Sequence, residues 1–180
     1  MAASKRLRSG HSYRQTERAY TRMSKRRGKA FVKSCPAHKI AKFVMGNEKK
    51  QYDFRLDLNS KGQLQIRHNA LEAARQVINR RFNENVGPQD YHLILRVYPH
   101  QIQRENKLYS GASKGDRVNT GMSQSFGTPI GRAAQIKIGQ TLFTVFVNER
   151  HVDAAKKALM AGMLKLPYSA TIEVKPVVKK

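Results

Sequence analysis

Apolar and polar positions alternate along several short segments of the chain, which is the pattern of strands that bury one face. This alternation, or a short apolar run, predicts strands at residues 40–45, 52–58, 64–66, 91–98, 134–138, 141–147 and 170–174. The run at 91–98 is the most continuous and predicts a central strand. Gly139 and Gln140 separate two of the later runs, which predicts a β-hairpin at that point.

A helical period replaces the alternation after residue 68. Asn69 and Glu72 have the spacing of a capping box, and Gly87 with Pro88 would end the helix. The apolar stripe of this helix is Leu71, Ala74, Ile78 and Phe82. Three arginines lie off the stripe, where they either face solvent or include at least one phosphate contact: Arg75, Arg80 and Arg81.

A second helix is predicted between the last two strands. Asn148 would cap it and Pro167 would end it, while Lys156 and Lys157 lie off its apolar face. Its stripe is Val152, Ala155, Leu159, Met163 and Leu166. The order of elements predicts an α+β fold, in which two helices pack on a mixed, mostly antiparallel sheet.

Residues 99–132 show almost no hydrophobic period and contain five glycines, which predicts a long loop held out by the folded part. Its side chains are those that contact phosphate, sugar and bases, interleaved with small residues that allow close backbone approach. The candidate binding residues of this loop are Arg104, Asn106, Lys107, Tyr109, Lys114 and Arg117.

Charge identifies the class of partner. Lysine and arginine number 35 against 12 acidic residues, a formal net charge of +23. Such a charge destabilises a compact chain unless a polyanion neutralises it, so nucleic acid is the predicted partner, ahead of an anionic membrane surface. No apolar run approaches the roughly 20 residues of a membrane span, and no secretory signal is present. The lone Cys35 indicates a reducing, intracellular compartment.

The first 37 residues form a basic arm in which aromatic side chains lie among the cations. A solvated tail is one interpretation. The spaced rings favour an arm that orders on RNA, because rings stack on bases while cations contact phosphates. Its candidate RNA-binding residues are Arg6, Arg8, Tyr13, Arg14, Arg18, Tyr20, Arg22, Lys25, Arg26, Arg27 and Lys29. We expect a single RNA-binding domain at 38–176 and a basic tail at 177–180.

Enzyme motifs are incomplete in this sequence. The segment 111–116 lacks the Gly-Lys-Ser/Thr ending of a phosphate-binding loop, and His68 with Glu72 lacks the second histidine of a metalloprotease helix. The histidines show no ligand spacing, and the few carboxylates offer no acid–base pair. We therefore expect no catalysis, no metal and no cofactor. Two alternatives stay open, an architectural DNA- or RNA-binding protein outside the ribosome and an RNA-processing factor.

Several motifs in order resemble one family, the archaeal and eukaryotic large-subunit ribosomal protein L-ten-e, which is the counterpart of bacterial protein L-sixteen. The resemblance covers roughly residues 13–175 and is closer to archaeal members. The motifs that carry it are residues 13–14 (YR), 20–22 (YTR), 39–47 (KIAKFVMGN), 66–75 (IRHNALEAAR), 91–92 (YH), 96–100 (RVYPH), 104–107 (RENK), 116–117 (DR), 121–122 (GM) and 126–131 (FGTPIG).

The resemblance implies an α/β-hammerhead-like domain bound to large-subunit rRNA near the A-site and P-site tRNAs, beside neighbouring ribosomal proteins in the cytoplasmic ribosome. It implies late assembly, no chemistry of its own, no membrane and no homo-oligomer. Within the domain, the implied rRNA contacts are Arg67, His68, Arg75 and Arg132. Where the family has basic residues this chain has Ser123 and Thr128, so phosphate contacts there are left open.

Overall fold

The computed structural model describes residues 10–19, 35–105 and 127–177, and the predicted α+β class is confirmed. Among these residues, 3₁₀ turns at Gly10–Tyr13 and Glu149–His151 accompany the regular elements. The elements are β1 Val44–Gly46, β2 Phe54–Ser60, β3 Leu64–Arg67, α1 His68–Asn85, β4 Tyr91–Leu95, β5 Gln101–Glu105, β6 Thr128–Ile136, β7 Thr141–Val147, α2 Val152–Met163 and β8 Ala170–Pro176.

The strands of the described residues form two sheets, whereas the sequence predicted one. A five-stranded sheet has the order β1-β4-β7-β2-β8, and a three-stranded sheet has the order β3-β6-β5. Within the part of the chain that the structure describes, every strand pair is antiparallel. The apolar faces of both sheets enclose a common core with the two helices.

The predicted hairpin at Gly139 is wrong. β6 pairs with β3 and β5, whereas β7 pairs with β2 and β4, so the turn carries the chain from the small sheet to the large one. The connection from β2 to β3 also passes from the large sheet to the small one, and it lies beside this turn. Hydrogen bonds join the two connections. Ser60 N–H donates to Gln140 O at 3.0 Å, and Gly139 N–H donates to Ser60 O at 2.8 Å.

The predicted loop is shorter than residues 99–132. β5 and β6 occupy its two ends and pair with each other, with Gln101 opposite Ala133 and Glu105 opposite Thr128. β5 alternates buried glutamines with one apolar side chain, Ile102, so its strand character is not visible as an apolar run. Residues 106–126 lie outside the described residues.

The two helices pack against each other; α1 also contacts strands of both sheets, and α2 contacts the large sheet. The predicted stripe of α1 is buried, as is the central part of the stripe of α2. The helices cross closely at Gly162, where a Cβ atom would lie 2.4 Å from Ile78 Cγ1. None of the helices among the described residues is both long and apolar enough to cross a membrane.

Both predicted N-terminal helix caps are wrong, whereas Gly87 follows the end of α1 with a φ of +94°, as predicted. α1 begins one residue earlier, at His68, and its N-cap position, Arg67, makes no side-chain cap bond. Glu72 does not reach back to the helix start, because its carboxylate is bonded to Arg75 and to the Ala41 N–H. Asn148 precedes the 3₁₀ turn and makes no side-chain cap bond, and α2 starts after that turn.

Gly46 ends β1 in a conformation that other residues rarely adopt. Its φ is +84°, and a Cβ atom there would lie 2.1 Å from the Tyr91 carbonyl oxygen of the neighbouring strand. The same oxygen accepts a hydrogen bond from Asn47 N–H at 2.9 Å. Glycine therefore allows the end of β1 to approach β4 this closely.

Candidate nucleic-acid interface

The described part of the basic arm lies against the small sheet. Gln65 N–H, on the free edge of β3, donates to Arg14 O at 2.9 Å. The side-chain amides of Gln65 and Gln135, opposite each other on β3 and β6, donate to the carbonyls of Gln15 and Glu17. The backbone carbonyls of the arm thus hold this segment to the sheet, and the Arg14 and Arg18 side chains remain exposed. The other arm candidates, Arg6, Arg8, Tyr20, Arg22, Lys25, Arg26, Arg27 and Lys29, lie outside the described residues.

Tyr13 already has a cationic partner within the chain. The guanidinium of Arg67, at the end of β3, lies over the Tyr13 ring, with Cζ 5.0 Å from the ring centroid. This is cation–π geometry. Tyr13, one of the arm residues predicted to bind RNA, and Arg67, a predicted rRNA contact of the domain, therefore lie together where the arm meets the sheet.

Cations surround the start of α1. His68 is the first helical residue and only 7% exposed. Burial, together with the positive charges of Lys39, Arg67 and Arg132 and the nearby His38, lowers the pKa of His68 to about 4. His68 is therefore neutral at pH 7, so it adds no charge to an interface. We call Lys39, Arg67 and Arg132 the basic cluster.

Arg132 extends the basic cluster to an aromatic surface. Its guanidinium donates to Tyr98 Oη at 2.8 Å and to Cys35 Sγ. The Tyr98 ring packs on His38 and Phe43, with centroids 5.5 and 5.9 Å away, and is 50% exposed. An exposed ring beside a guanidinium is the arrangement that single-stranded RNA binds by stacking and phosphate contact.

Arg75 does not lie on this surface. It is buried, and its Nε and Nη2 atoms donate to the two oxygens of Glu72 at 2.8 and 2.6 Å. Arg75 therefore does not face solvent, as its position off the apolar stripe suggested, because Ala41 and Met45 lie against the Glu72–Arg75 pair. We leave Arg75 out of the interface, whereas Arg80 and Arg81 are exposed.

Of the candidate binding residues of the loop, the structure describes Arg104. Arg104 lies on β5 and lines a cavity between the arm and the small sheet. The remaining five, Asn106, Lys107, Tyr109, Lys114 and Arg117, lie outside the described residues.

Sequence reasoning missed Lys39 and Tyr98 as interface residues and the buried glutamines of β5 as cavity residues. The glutamines at alternate positions 101 and 103 were a signal for a strand with one polar face.

Metal binding and proton transfer each require a particular arrangement of side chains. In residues 10–19, 35–105 and 127–177, no three histidine, cysteine or carboxylate side chains are placed to share a metal ion. The buried carboxylates Glu72 and Asp57 are both bonded to arginines, Arg75 and Arg55. The surface that stands out is the one formed by the arm, the basic cluster and the Tyr98 ring.

Known proteins match this chain along most of its length. The profile of the family described as "Ribosomal protein L16p/L10e" matches residues 16–173. The "Large ribosomal subunit protein uL16" of Hyperthermus butylicus is 42% identical over 170 residues, covering 89% of this chain and 92% of its own. The proteins of that name from Metallosphaera sedula and Staphylothermus marinus are 42% and 46% identical, covering 95% and 82% of this chain and 95% and 84% of their own.

These matches confirm the resemblance that the motifs predicted, including its archaeal character, since the three organisms are archaea. The chain therefore belongs to the ribosomal protein L16p/L10e family of structural, non-enzymatic ribosomal constituents.

Proposed function

We propose that the chain is a constituent of the large subunit of the cytoplasmic ribosome, where it binds large-subunit rRNA through the arm, the basic cluster and the Tyr98 ring. The names of its relatives support the subunit, and the net charge of +23 supports a polyanionic partner. In this role it works beside neighbouring ribosomal proteins and acts by binding rather than by catalysis.

One observation carries the proposal. Within the described part of the chain, no carboxylate forms an ion pair with Lys39 or Arg132. Both side chains lie near the start of α1, where their positive charges lower the pKa of His68. The start of α1, at the centre of this cluster, adds the positive end of the helix dipole and has no side-chain cap. Positive charge that the protein leaves uncompensated at a helix N-terminus favours phosphate.

Binding of the purified chain to deproteinised large-subunit rRNA is expected to weaken steeply with salt. Each phosphate contact contributes about −0.7 to −0.9 to the slope of log K against log salt. Lys39→Gln and Arg132→Gln should each reduce the magnitude of the slope by about that amount, because each removes one cation from the interface. The measurement is equilibrium binding at a series of salt concentrations.

The matched control is Lys157→Gln, which removes one charge from an exposed position on α2, away from the cluster. Its slope should equal that of the unsubstituted chain. A flat salt dependence, or three variants that behave alike, would contradict the proposed surface. Equal or tighter binding to duplex DNA at the same salt would instead favour the architectural DNA-binding alternative.

We also propose that residues 104–117 approach the tRNAs in the A and P sites and that the chain joins the subunit late in assembly. The family resemblance supports this, together with the cationic and amide side chains of the segment, which suit contacts to phosphate and bases. Arg104 supports it from the structure, because β5 directs the chain into the segment from the edge of the small sheet.

Deletion of residues 106–115 is expected to leave the fold and subunit incorporation intact while reducing tRNA binding to the assembled subunit. The deleted residues follow β5 and lie outside the strands that form the two sheets in the described part of the chain. Incorporation is measured by sedimentation with large subunits in high salt, and tRNA binding by filter retention on the isolated subunits. Loss of folding, or unchanged tRNA binding, would refute the assignment.

A further inference from the structure

An apolar groove lies on the face of the large sheet that is turned away from the helices. Leu93 and Val145 are fully buried in the core that the sheet shares with both helices. Successive side chains of a strand point to opposite faces, so Ile94 and Phe146 of the same strands lie on the other face. Both side chains line a groove of about 410 Å³, together with Val177 after the end of β8.

The floor of this groove is apolar and partly exposed. Ile94 and Phe146 are half-buried, and Val44, opposite Ile94 on β1, is 46% exposed. The Phe146 ring packs on the His92 ring, with centroids 5.6 Å apart. An apolar surface that a protein leaves open marks an interaction site, and the volume lies within the roughly 300–1,000 Å³ of binding pockets.

Carboxylates lie along the rim of the groove, although the chain as a whole is strongly basic. Glu48 lines the groove, and Glu149 lines an adjoining depression that shares one lining residue with it. In the part of the chain that the structure describes, neither carboxylate forms an ion pair. The cations that line these two surfaces, Lys50 and Arg150, are both paired with Asp90. The rim is therefore left with a net negative charge.

Charge separates the two kinds of neighbour that a large subunit offers. The phosphates of rRNA would meet Glu48 and Glu149, and the cations beside them already have a carboxylate partner. Proteins that bind the same polyanion are themselves basic, because they neutralise its phosphates. Lysine and arginine carry their charge at the end of an apolar stem, which suits a groove with an apolar floor and a carboxylate rim. Arginine also lies favourably over an aromatic ring such as that of Phe146.

We propose that the groove docks a basic segment of a neighbouring large-subunit protein. An apolar side chain of that segment covers Ile94 and Phe146, and its lysine or arginine side chains pair with Glu48 and Glu149. This inference rests on the proposed function, in which the chain lies in the large subunit beside other ribosomal proteins. It assigns this face of the large sheet to protein, whereas the arm, the basic cluster and the Tyr98 ring bind rRNA.

The test replaces Phe146 by the photoreactive p-benzoylphenylalanine in the full chain and irradiates purified large subunits that contain it. Cross-linked RNA and protein products are separated, and the linked peptides are sequenced by mass spectrometry. We expect a product with another ribosomal protein, at a segment that carries several lysine or arginine residues. The same photoreactive residue in place of Lys157, at an exposed position on α2, should not give this product.

Other products would overturn the inference. A cross-link to rRNA would show that nucleic acid covers this face, and a cross-link to this same chain would show that its own residues cover it. No cross-link, or a link to a segment without basic residues, would leave the groove without the proposed occupant. A chain that does not sediment with large subunits would contradict the proposed function as well, whereas a chain that does and gives the wrong product contradicts this inference alone.

Glu48→Lys tests the charge of the rim in the same subunits. It reverses the charge at an exposed position and should lower the yield of the product from position 146 about three-fold or more, because it repels a basic segment. Glu84→Lys makes the same change of charge at an exposed position on α1 and should leave the yield unchanged. Equal yields in the two variants would contradict the role of the rim carboxylates.

Discussion

Replacing Gly46 by alanine is expected to lower the free energy of unfolding by about 3 to 5 kcal/mol. Two costs combine at this position. A φ of +84° is unfavourable for any residue with a Cβ atom, and that atom would lie 2.1 Å from the Tyr91 carbonyl oxygen and 2.9 Å from the Tyr91 carbonyl carbon. Both neighbours are backbone atoms of β4, so no side-chain rotation relieves the contact and β1 must move away.

The matched control is Gly87→Ala. Gly87 has a similar φ of +94°, but no atom lies within 4 Å of the Cβ position there. It should lose only the conformational cost, about 1 to 2 kcal/mol. Urea unfolding of both variants, followed by circular dichroism, measures the difference. Equal losses in the two variants would mean that the close approach of β1 to β4 contributes nothing.

Glu72→Gln is expected to cost about 3 to 5 kcal/mol, because it leaves the guanidinium of Arg75 buried without its counter-charge. The two side chains are 12% and 10% exposed. Replacing both partners, as in Glu72→Leu with Arg75→Met, should cost less than Glu72→Gln alone, since no charge is then left in the interior. The measurement is chemical denaturation of both variants at pH 7.

An exposed pair on the same helix is the control. Arg80 and Glu84 are 78% and 56% exposed, so Glu84→Gln should cost less than about 1 kcal/mol. Comparable losses for Glu72→Gln and Glu84→Gln would contradict the role of the buried pair. A double replacement that costs more than Glu72→Gln would contradict it as well.

The pH dependence of stability provides a second readout for Glu72. The hydrogen bonds from Arg75 lower the pKa of Glu72 below its ordinary value of 4.5, against the opposing effect of burial. The folded state therefore binds the proton more weakly than the unfolded chain. This stabilisation is complete above pH 4.5 and is lost as the pH falls through the folded pKa. Glu72→Gln should remove this part of the acid sensitivity.

The Glu72–Arg75 pair also connects the core to the candidate interface. Glu72 accepts the N–H of Ala41 at 3.3 Å, and Arg75 Nη1 contacts Met45 Sδ. These bonds hold residues 41–45 against α1, immediately after Lys39 of the basic cluster. Sequence reasoning assigned Glu72 to a helix cap and Arg75 to solvent or phosphate, whereas the pair that they form supports the positions of interface cations.

The sequence predicted the elements well where periodicity and burial coincide. The stripe from Leu71 to Phe82 is an example, because its apolar side chains repeat with the helical period and all are buried. Which strands pair with each other could not be predicted from the alternation. The alternation on either side of Gly139 is the same whether the two strands pair or enter different sheets, so the predicted hairpin was wrong.

Only part of the candidate site was predicted, because some of its features depend on contacts between distant segments. Composition and motifs pointed to Arg67 and Arg132, which the structure places around the start of α1. The burial of Arg75 depends on a tertiary partner, the segment that covers α1, and no local pattern contains that information. The buried glutamines of β5 have polar side chains, so hydrophobic periodicity could not identify the strand.

The strand order of the large sheet has a consequence for how the chain folds. β2 is made early, yet both of its neighbours, β7 and β8, come much later in the sequence. During synthesis β2 therefore has two open edges until the last strands are available. Pairings so distant along the chain slow folding, and unpaired strand edges promote aggregation. The nascent chain is accordingly most vulnerable between the completion of β2 and the arrival of β8.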